Sequence, residues 1–228
     1  IEWDYIHKQT YLNVTPDPDN SHSIVGKTEI FGANTNNEEE YDAYRYATKT
    51  IEILNQKHKK PFFLAVGFKE AHTPVLPPLK YYKKYDKLTV HPIIENDLED
   101  VSKVGSRLAR DGADHERIKK GDNWGDLIRS YLAMLSLVDA QVGRVISALE
   151  QSEYKDNTIV ILWSDHGNNY GRKLKLSKFT LWEASTRVPF IIWDTRNPDY
   201  KGVCKEGVSL VDIYPTVLEL IDAPSIDH

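Results

Sequence analysis

Apolar side chains recur at steps of three and four residues along several stretches, which is the spacing of one face of an α-helix. The longest such stretch covers residues 126–152 and predicts a helix whose apolar stripe is Ile128, Tyr131, Leu135, Val138, Val142, Val145 and Leu149. Further helices are predicted over residues 39–56, 80–86 and 210–221, the last with Ser209 as its N-terminal cap.

Three short unbroken apolar runs lie between these helical stretches, at residues 61–67, 158–163 and 188–193. Runs of this kind are typical of strands that are buried on both faces of a sheet. Their alternation with helices predicts an α/β fold, with a largely parallel or mixed sheet and helices on both faces. Residues 1–39 and 88–125 are polar and without sustained period, and we expect irregular loops there.

Composition narrows the class of protein. The 228 residues include 40% hydrophobic and 28% charged side chains, as expected of a globular domain with a sizeable core. A net charge of -5 argues against a nucleic-acid partner, because phosphate backbones require a basic face. No apolar run reaches the roughly 18 residues of a membrane helix, so no membrane span is expected. Cys204 is the only cysteine, which excludes a disulfide within the chain.

Candidate chemistry lies just after the predicted strands, where open α/β sheets bind their ligands. Asp165 and His166 follow the 158–163 run and together could face one metal ion, and His72 follows the 61–67 run. Residues 172–178 carry four cations that would attract an anion, namely Arg172, Lys173, Lys175 and Lys178. Taken alone, these residues equally allow a helix cap, a loop histidine and a solvated basic face.

Four segments, at residues 61–74, 138–143, 164–193 and 208–216, resemble motifs of the sulfatase family in the family's order and spacing. This family belongs to the alkaline phosphatase-like superfamily, and the resemblance extends from about residue 40 to 224. Because His166 rather than Asn follows Asp165, the chain is most similar to the iduronate-2-sulfatase and choline-sulfatase branch.

The resemblance implies a role for each matching residue. Asp165 and His166 would be ligands of Ca²⁺, and Lys178 would contact a sulfate oxygen. His72 would hold the sulfate and donate a proton to the leaving alcohol. Glu183 and Arg187 would form a structural ion pair. The implied substrate is a sulfated small molecule or saccharide, and a periplasmic, secreted or lysosome-like location is favoured.

The nucleophile of the family does not occur in the sequence. Sulfatases use a formylglycine made within a Cys/Ser-x-Pro/Ala-x-Arg motif, and the surroundings of Cys204 do not match it. We therefore expect residues 1–228 to be the central and C-terminal part of a sulfatase catalytic domain, with the nucleophile encoded upstream. A phosphodiesterase or phosphonate monoester hydrolase of the same superfamily, and a non-catalytic sulfatase-like binding protein, are the alternatives.

Overall fold

The computed structural model describes residues 16–23, 30–109 and 123–224. Its strands are β1 (Pro16–Ser23), β2 (Ile30–Asn34), β3 (Ile159–Trp163) and β4 (Phe190–Asp194). Its helices are α1 (Asp42–Leu54), α2 (Leu79–Tyr82), α3 (Lys103–Ala109), α4 (Trp124–Gln151), α5 (Glu183–Thr186) and α6 (Ile213–Leu220). The four helices predicted from apolar spacing are confirmed as α1, α2, α4 and α6.

Helix α4 is the centre of the packing and contacts α1, α2 and β2. Its buried side is one residue out of phase with the predicted stripe and is formed by Leu127, Ser130, Ala133, Met134, Leu137, Gln141 and Leu149. Leu135, on the predicted stripe, is exposed instead. Ser130 satisfies its buried hydroxyl by donating to the Asp126 carbonyl oxygen at 2.5 Å.

Arg144 joins α4 to α1. Its guanidinium carbon lies 3.9 Å from the centroid of the Tyr44 ring, and its Nη2 donates to Thr48 Oγ1 at 3.0 Å. Helix α4 is also long and apolar enough to cross a membrane by length and composition, a weak indication that core helices also give. Of this apolar window 28% is buried, so the expectation that no apolar stretch is long enough for a membrane span is not met by α4.

The described strands form two antiparallel pairs, β1 with β2 and β3 with β4. Ile161 lies opposite Ile192 in the second pair. Parallel pairing occurs as two isolated bridges, from Phe31 to Val75 and from Asn34 to Pro78. Within the described residues, two antiparallel strand pairs thus occur together with parallel bridges, which agrees with the mixed form of the prediction and not with a largely parallel sheet.

The prediction of a buried strand at residues 61–67 is wrong for the structure described. This stretch joins no ladder, and Phe63 is 71% exposed. Strands β3 and β4 do form, yet Trp163 is 47% and Ile191 56% exposed rather than buried. Burial on both faces requires a layer of structure on each side of the sheet, and the described part of the chain does not cover these strands.

Two loop predictions also need correction. Residues 16–23, inside the first stretch expected to be an irregular loop, form β1. Residues 103–109, inside the stretch expected to be an irregular loop, form α3. By contrast, Ser209 caps the C-terminal helical segment as predicted, since its hydroxyl accepts a hydrogen bond from the Val211 amide while Asp212 accepts one from the Ser209 amide.

Candidate functional site

Asp165 and His166 lie directly beyond the end of β3, where the chain leaves the sheet. His166 Nδ1 is 2.9 Å from the Gly167 carbonyl oxygen, so this nitrogen carries the proton and Nε2 keeps its lone pair. Asp165 Oδ1 accepts the His166 backbone amide at 3.0 Å, and Asp165 Oδ2 lies 3.4 Å from His166 Nε2. The carboxylate and the imidazole lone pair therefore converge.

Lys178 completes this group. Its Nζ lies 2.9 Å from His166 Nε2 and can donate a hydrogen bond to the lone pair there. The loop that connects His166 to Lys178 contains three non-glycine residues with positive φ, namely Tyr170, Lys173 and Leu174, and Phe179 directly after Lys178 is a fourth. The structure thus brings together Asp165, His166 and Lys178, which the sequence had assigned to neighbouring roles without predicting their contact.

The donor set fits part of a divalent-cation site. An anionic carboxylate oxygen suits a hard cation such as Ca²⁺, and a neutral imidazole nitrogen can add a ligand. The Gly167 carbonyl holds the histidine in the tautomer that metal ligation requires. The Lys178 ammonium lies against the imidazole of His166 and so adds a positive charge beside the Asp165–His166 pair. Within the described ranges no cluster of three or more His, Cys, Asp or Glu side chains occurs, so the pair supplies part of a coordination sphere.

His72 lies on a separate, exposed turn. The turn is closed by a hydrogen bond from the His72 amide to the Lys69 carbonyl at 3.1 Å, and Ala71 takes a φ of 80° there. His72 Nδ1 is 3.0 Å from the Thr73 carbonyl oxygen, and Nε2 takes no part in this contact. His72 makes no hydrogen bond or ion pair with Asp165, His166 or Lys178 in the described part of the chain, so their convergence on one anion stays a prediction.

Glu70, which the sequence did not single out, anchors the His72 turn. Its Oε1 accepts the Ala43 amide of α1 at 2.6 Å, and this helix receives no side-chain cap from Tyr41, its own N-cap residue. Its Oε2 is buried and has no hydrogen-bond partner among the described residues. Burial raises the pKa of the Glu70 carboxyl, and the Asp42 carboxylate adds to the effect. Twenty-seven positions separate Glu70 from Ala43, so no local pattern announces the contact.

Only some of the four cations in residues 172–178 are placed to attract an anion. Lys173 Nζ lies 2.7 Å from Asp100 and 3.4 Å from Asp97, which offsets its charge, and Lys175 is buried. These contacts raise the pKa of Lys173 and lower that of Asp100. Arg172 is exposed and lies at a cavity of about 750 Å³ between residues 88–97, the start of α4 and the loop. Of the four cations, Lys178 is the one in contact with the Asp165–His166 pair.

The Glu183–Arg187 ion pair is confirmed, with Arg187 Nη1 2.8 Å from Glu183 Oε1. The two residues are one turn apart at α5, and both side chains are exposed. Exposed pairs of this kind contribute about 0.3–0.5 kcal/mol, so the contact is consistent with a structural role.

Solved structures of other proteins share this architecture. The structure of a protein described as a sulfatase from Bacteroides fragilis is 31% identical with a TM-score of 0.62, covering 79% of this chain and 37% of that one. The phosphonate monoester hydrolase of Silicibacter pomeroyi has a TM-score of 0.71 at 20% identity, covering 95% of this chain and 44% of that one, and shows the fold alone. The fold is therefore that of the alkaline phosphatase-like α/β hydrolases.

Sequence comparison identifies the family. The sulfatase family profile matches residues 3–223, and the chain belongs to the sulfatase family. A sulfatase of Formosa agariphila is 38% identical over 175 residues, which are 75% of this chain and 34% of that protein. Iduronate 2-sulfatase of Mus musculus is 32% identical over 145 residues, 58% of this chain and 26% of that enzyme. The resemblance inferred from the motifs is thereby confirmed.

The chain spans between about a sixth and two fifths of the length of the curated relatives it matches, for example 17% of arylsulfatase K of Canis lupus familiaris, 34% of the Formosa sulfatase and 42% of the Trinickia caryophylli protein PehA. One further solved structure shares the fold. It is of a protein in complex with its substrate D-glucosamine-2-N,6-O-disulfate, is 20% identical with a TM-score of 0.62, and covers 89% of this chain and 51% of that one.

Proposed function

We propose that the protein is a sulfatase that hydrolyses sulfate esters, and that this chain contributes the cation- and anion-binding part of its active site. The observation that carries the proposal is the contact of Lys178 with His166 beside the Asp165 carboxylate. A sulfate ester carries one negative charge, and the inorganic sulfate that is released from it carries two. Positive charge next to a metal-ligating pair is the arrangement that its cleavage requires.

Each residue has a distinct part in this reaction. Asp165 and His166 hold a divalent cation, Ca²⁺ in our proposal, and such an ion polarises sulfate oxygens when it is bound. Lys178 donates hydrogen bonds to a sulfate oxygen and offsets the charge that develops in the transition state. His72, exposed and with Nε2 unoccupied by the Thr73 contact, carries a proton on that nitrogen and gives it to the leaving alcohol.

The nucleophile must come from outside the 228 residues in this account. We propose that the native protein carries an upstream segment with a formylglycine motif and acidic metal ligands, and that residues 1–228 form the central and C-terminal part of the catalytic domain. The coverage of about one third of the Formosa sulfatase supports this proposal. We further propose a sulfated carbohydrate as substrate, supported by the related protein that binds a disulfated glucosamine.

A second candidate function is supported by one observation. The phosphonate monoester hydrolase of Silicibacter pomeroyi shares the fold over 95% of this chain. The Asp165, His166 and Lys178 group could serve a phosphonate ester as well, because both substrates present anionic tetrahedral centres. The greater identity to a sulfatase, 38% for the Formosa protein, favours sulfate esters.

Mass spectrometry of the protein expressed from the complete gene tests the proposal. We expect a peptide upstream of residue 1 in which a Cys or Ser has become formylglycine. The 228-residue chain, assayed separately on an aryl sulfate, should release no sulfate. An upstream region without the motif would favour the phosphoesterase or the non-catalytic alternative, and activity in the 228-residue chain would overturn the proposed mechanism.

A further inference from the structure

Asn169 is the most connected buried polar side chain of the loop that carries Lys178. It is 3% exposed, and its Nδ2 lies within hydrogen-bond distance of the Ser177 carbonyl oxygen (2.7 Å), Ser185 Oγ (2.6 Å) and Thr180 Oγ1 (3.1 Å). One amide thus reaches two segments that are 8 to 16 positions away in the chain.

These contacts reach the backbone beside Lys178 and the segment that binds the backbone beside His166. On one side, Ser177 immediately precedes Lys178, and the Asn169 backbone amide also donates to the Ser177 carbonyl at 3.3 Å. On the other side, Ser185 is 5% exposed, and its carbonyl accepts the Gly167 amide at 2.8 Å, one residue after His166. Asn169 therefore lies between the backbone of the metal pair and the backbone of the lysine.

The loop contains little regular secondary structure, and Lys173 also ties it to Asp97 and Asp100. Between His166 and Phe179 the regular structure is one short 3-10 turn at Arg172–Leu174, with Lys173 and Leu174 at positive φ. Residues in left-handed backbone conformations persist where surrounding contacts hold them. A buried amide with several partners is such a contact, because breaking it leaves polar groups unsatisfied away from water.

We propose that Asn169 is a positioning residue that fixes Lys178 against His166, so that the ammonium meets the sulfate beside the cation. The inference rests on the proposed function, since it assigns Asn169 a purpose through the sulfate contact of Lys178. Asn169 touches neither substrate nor metal in this account. It acts by holding the Ser177 carbonyl and the Ser185 hydroxyl at a fixed separation.

A double-mutant cycle on sulfate binding separates this role from a general structural one. The protein expressed from the complete gene is titrated with inorganic sulfate by calorimetry in the presence of Ca²⁺, as the parent, Asn169→Ala, Lys178→Ala and the double variant. We expect Lys178→Ala to weaken binding about tenfold or more and Asn169→Ala about three- to tenfold. In the double variant, sulfate binding should be within about twofold of Lys178→Ala alone, because coupled residues do not act independently.

Asn168→Ala is the matched control, because this neighbouring asparagine is half-buried and makes no side-chain hydrogen bond in the described part of the chain. It should bind sulfate as the parent does. If Asn169→Ala does not fold, Ser185→Ala replaces it in the same cycle, since it deletes one hydroxyl from the same contact. Losses that multiply in the double variant, or unchanged binding in Asn169→Ala, would overturn the positioning role. A parent protein that binds no sulfate, or unchanged binding in Lys178→Ala, would instead contradict the proposed function itself.

Discussion

Lys178 Nζ lies 2.9 Å from His166 Nε2, the nitrogen whose lone pair would ligate a metal. The proton on His166 Nδ1 is held by the Gly167 carbonyl, so the ring presents only this lone pair to its surroundings. A bound divalent cation and the lysine therefore compete for one nitrogen. In the proposed function, a cation that took this nitrogen would free the hydrogen bonds of the ammonium for an anion beside it, and metal binding would then favour sulfate binding.

Asp165→Asn should weaken the binding of Ca²⁺ to the protein expressed from the complete gene. The substitution keeps the shape of the side chain and removes the negative charge that a hard cation prefers, and we expect a loss of about tenfold or more. Calorimetric titration with Ca²⁺ measures it. Asp199→Asn, at an exposed aspartate after β4, is the control and should bind Ca²⁺ as the parent does. Equal affinity in both variants would remove Asp165 from the metal site.

His72→Ala should slow hydrolysis of poor leaving groups more than that of good ones. A phenolate that leaves easily needs no proton, whereas an alkoxide does, so the loss should grow to about 10²–10⁴-fold for the poorest leaving groups. Rates for a series of aryl sulfates, plotted against the pKa of the released phenol, should give a steeper slope in the variant. Parallel lines for parent and variant would show that His72 is not the acid.

The Glu70 carboxyl predicts a pH dependence of local stability at the start of α1. Its pKa is raised above the ordinary value of 4.5 by burial. Glu70 in the unfolded chain therefore loses its proton at lower pH than in the folded one. Its protonation favours the folded state at low pH, and this contribution is lost as the pH rises through the folded pKa.

Glu70→Gln should remove that dependence, because the amide does not titrate. Hydrogen exchange of the α1 amides, compared between parent and variant at each pH, measures it. Protection in the parent should fall relative to the variant as the pH rises above about 4.5. Glu150→Gln, at an exposed position of α4, should follow the parent throughout. A constant difference between parent and Glu70→Gln would contradict the assignment.

Helices were the part of this fold that the sequence predicted best. Apolar spacing located α1, α4 and α6, because a helix that packs on one side carries its stripe in its own sequence. On α4 the predicted apolar stripe was shifted by one residue from the side that is buried, since the buried side includes the small and polar residues Ser130, Ala133 and Gln141. Hydrophobicity does not mark such positions.

Strand burial and the site contacts were harder to predict. The apolar run at residues 61–67 predicted a buried strand, yet burial depends on neighbouring layers that no local pattern encodes. The motifs singled out Asp165, His166 and Lys178 without predicting their contact, because that contact depends on a loop with unusual backbone angles. Glu70 and Asn169 act through partners 8 to 27 positions away and had no signal in the sequence.

The central claim is that the protein cleaves sulfate esters with Lys178 at the anion. The most direct test compares kcat/KM for inorganic sulfate release from 4-nitrophenyl sulfate and glucosamine 6-sulfate with kcat/KM for hydrolysis of a phenylphosphonate monoester. The protein from the complete gene and its Lys178→Ala variant are both assayed. We expect kcat/KM for at least one sulfate ester to exceed that for the phosphonate by about tenfold or more. The Lys178→Ala substitution should lower kcat/KM for that ester by about 10²-fold. Preference for the phosphonate, or a Lys178→Ala variant that releases sulfate as fast as the parent, would contradict the account.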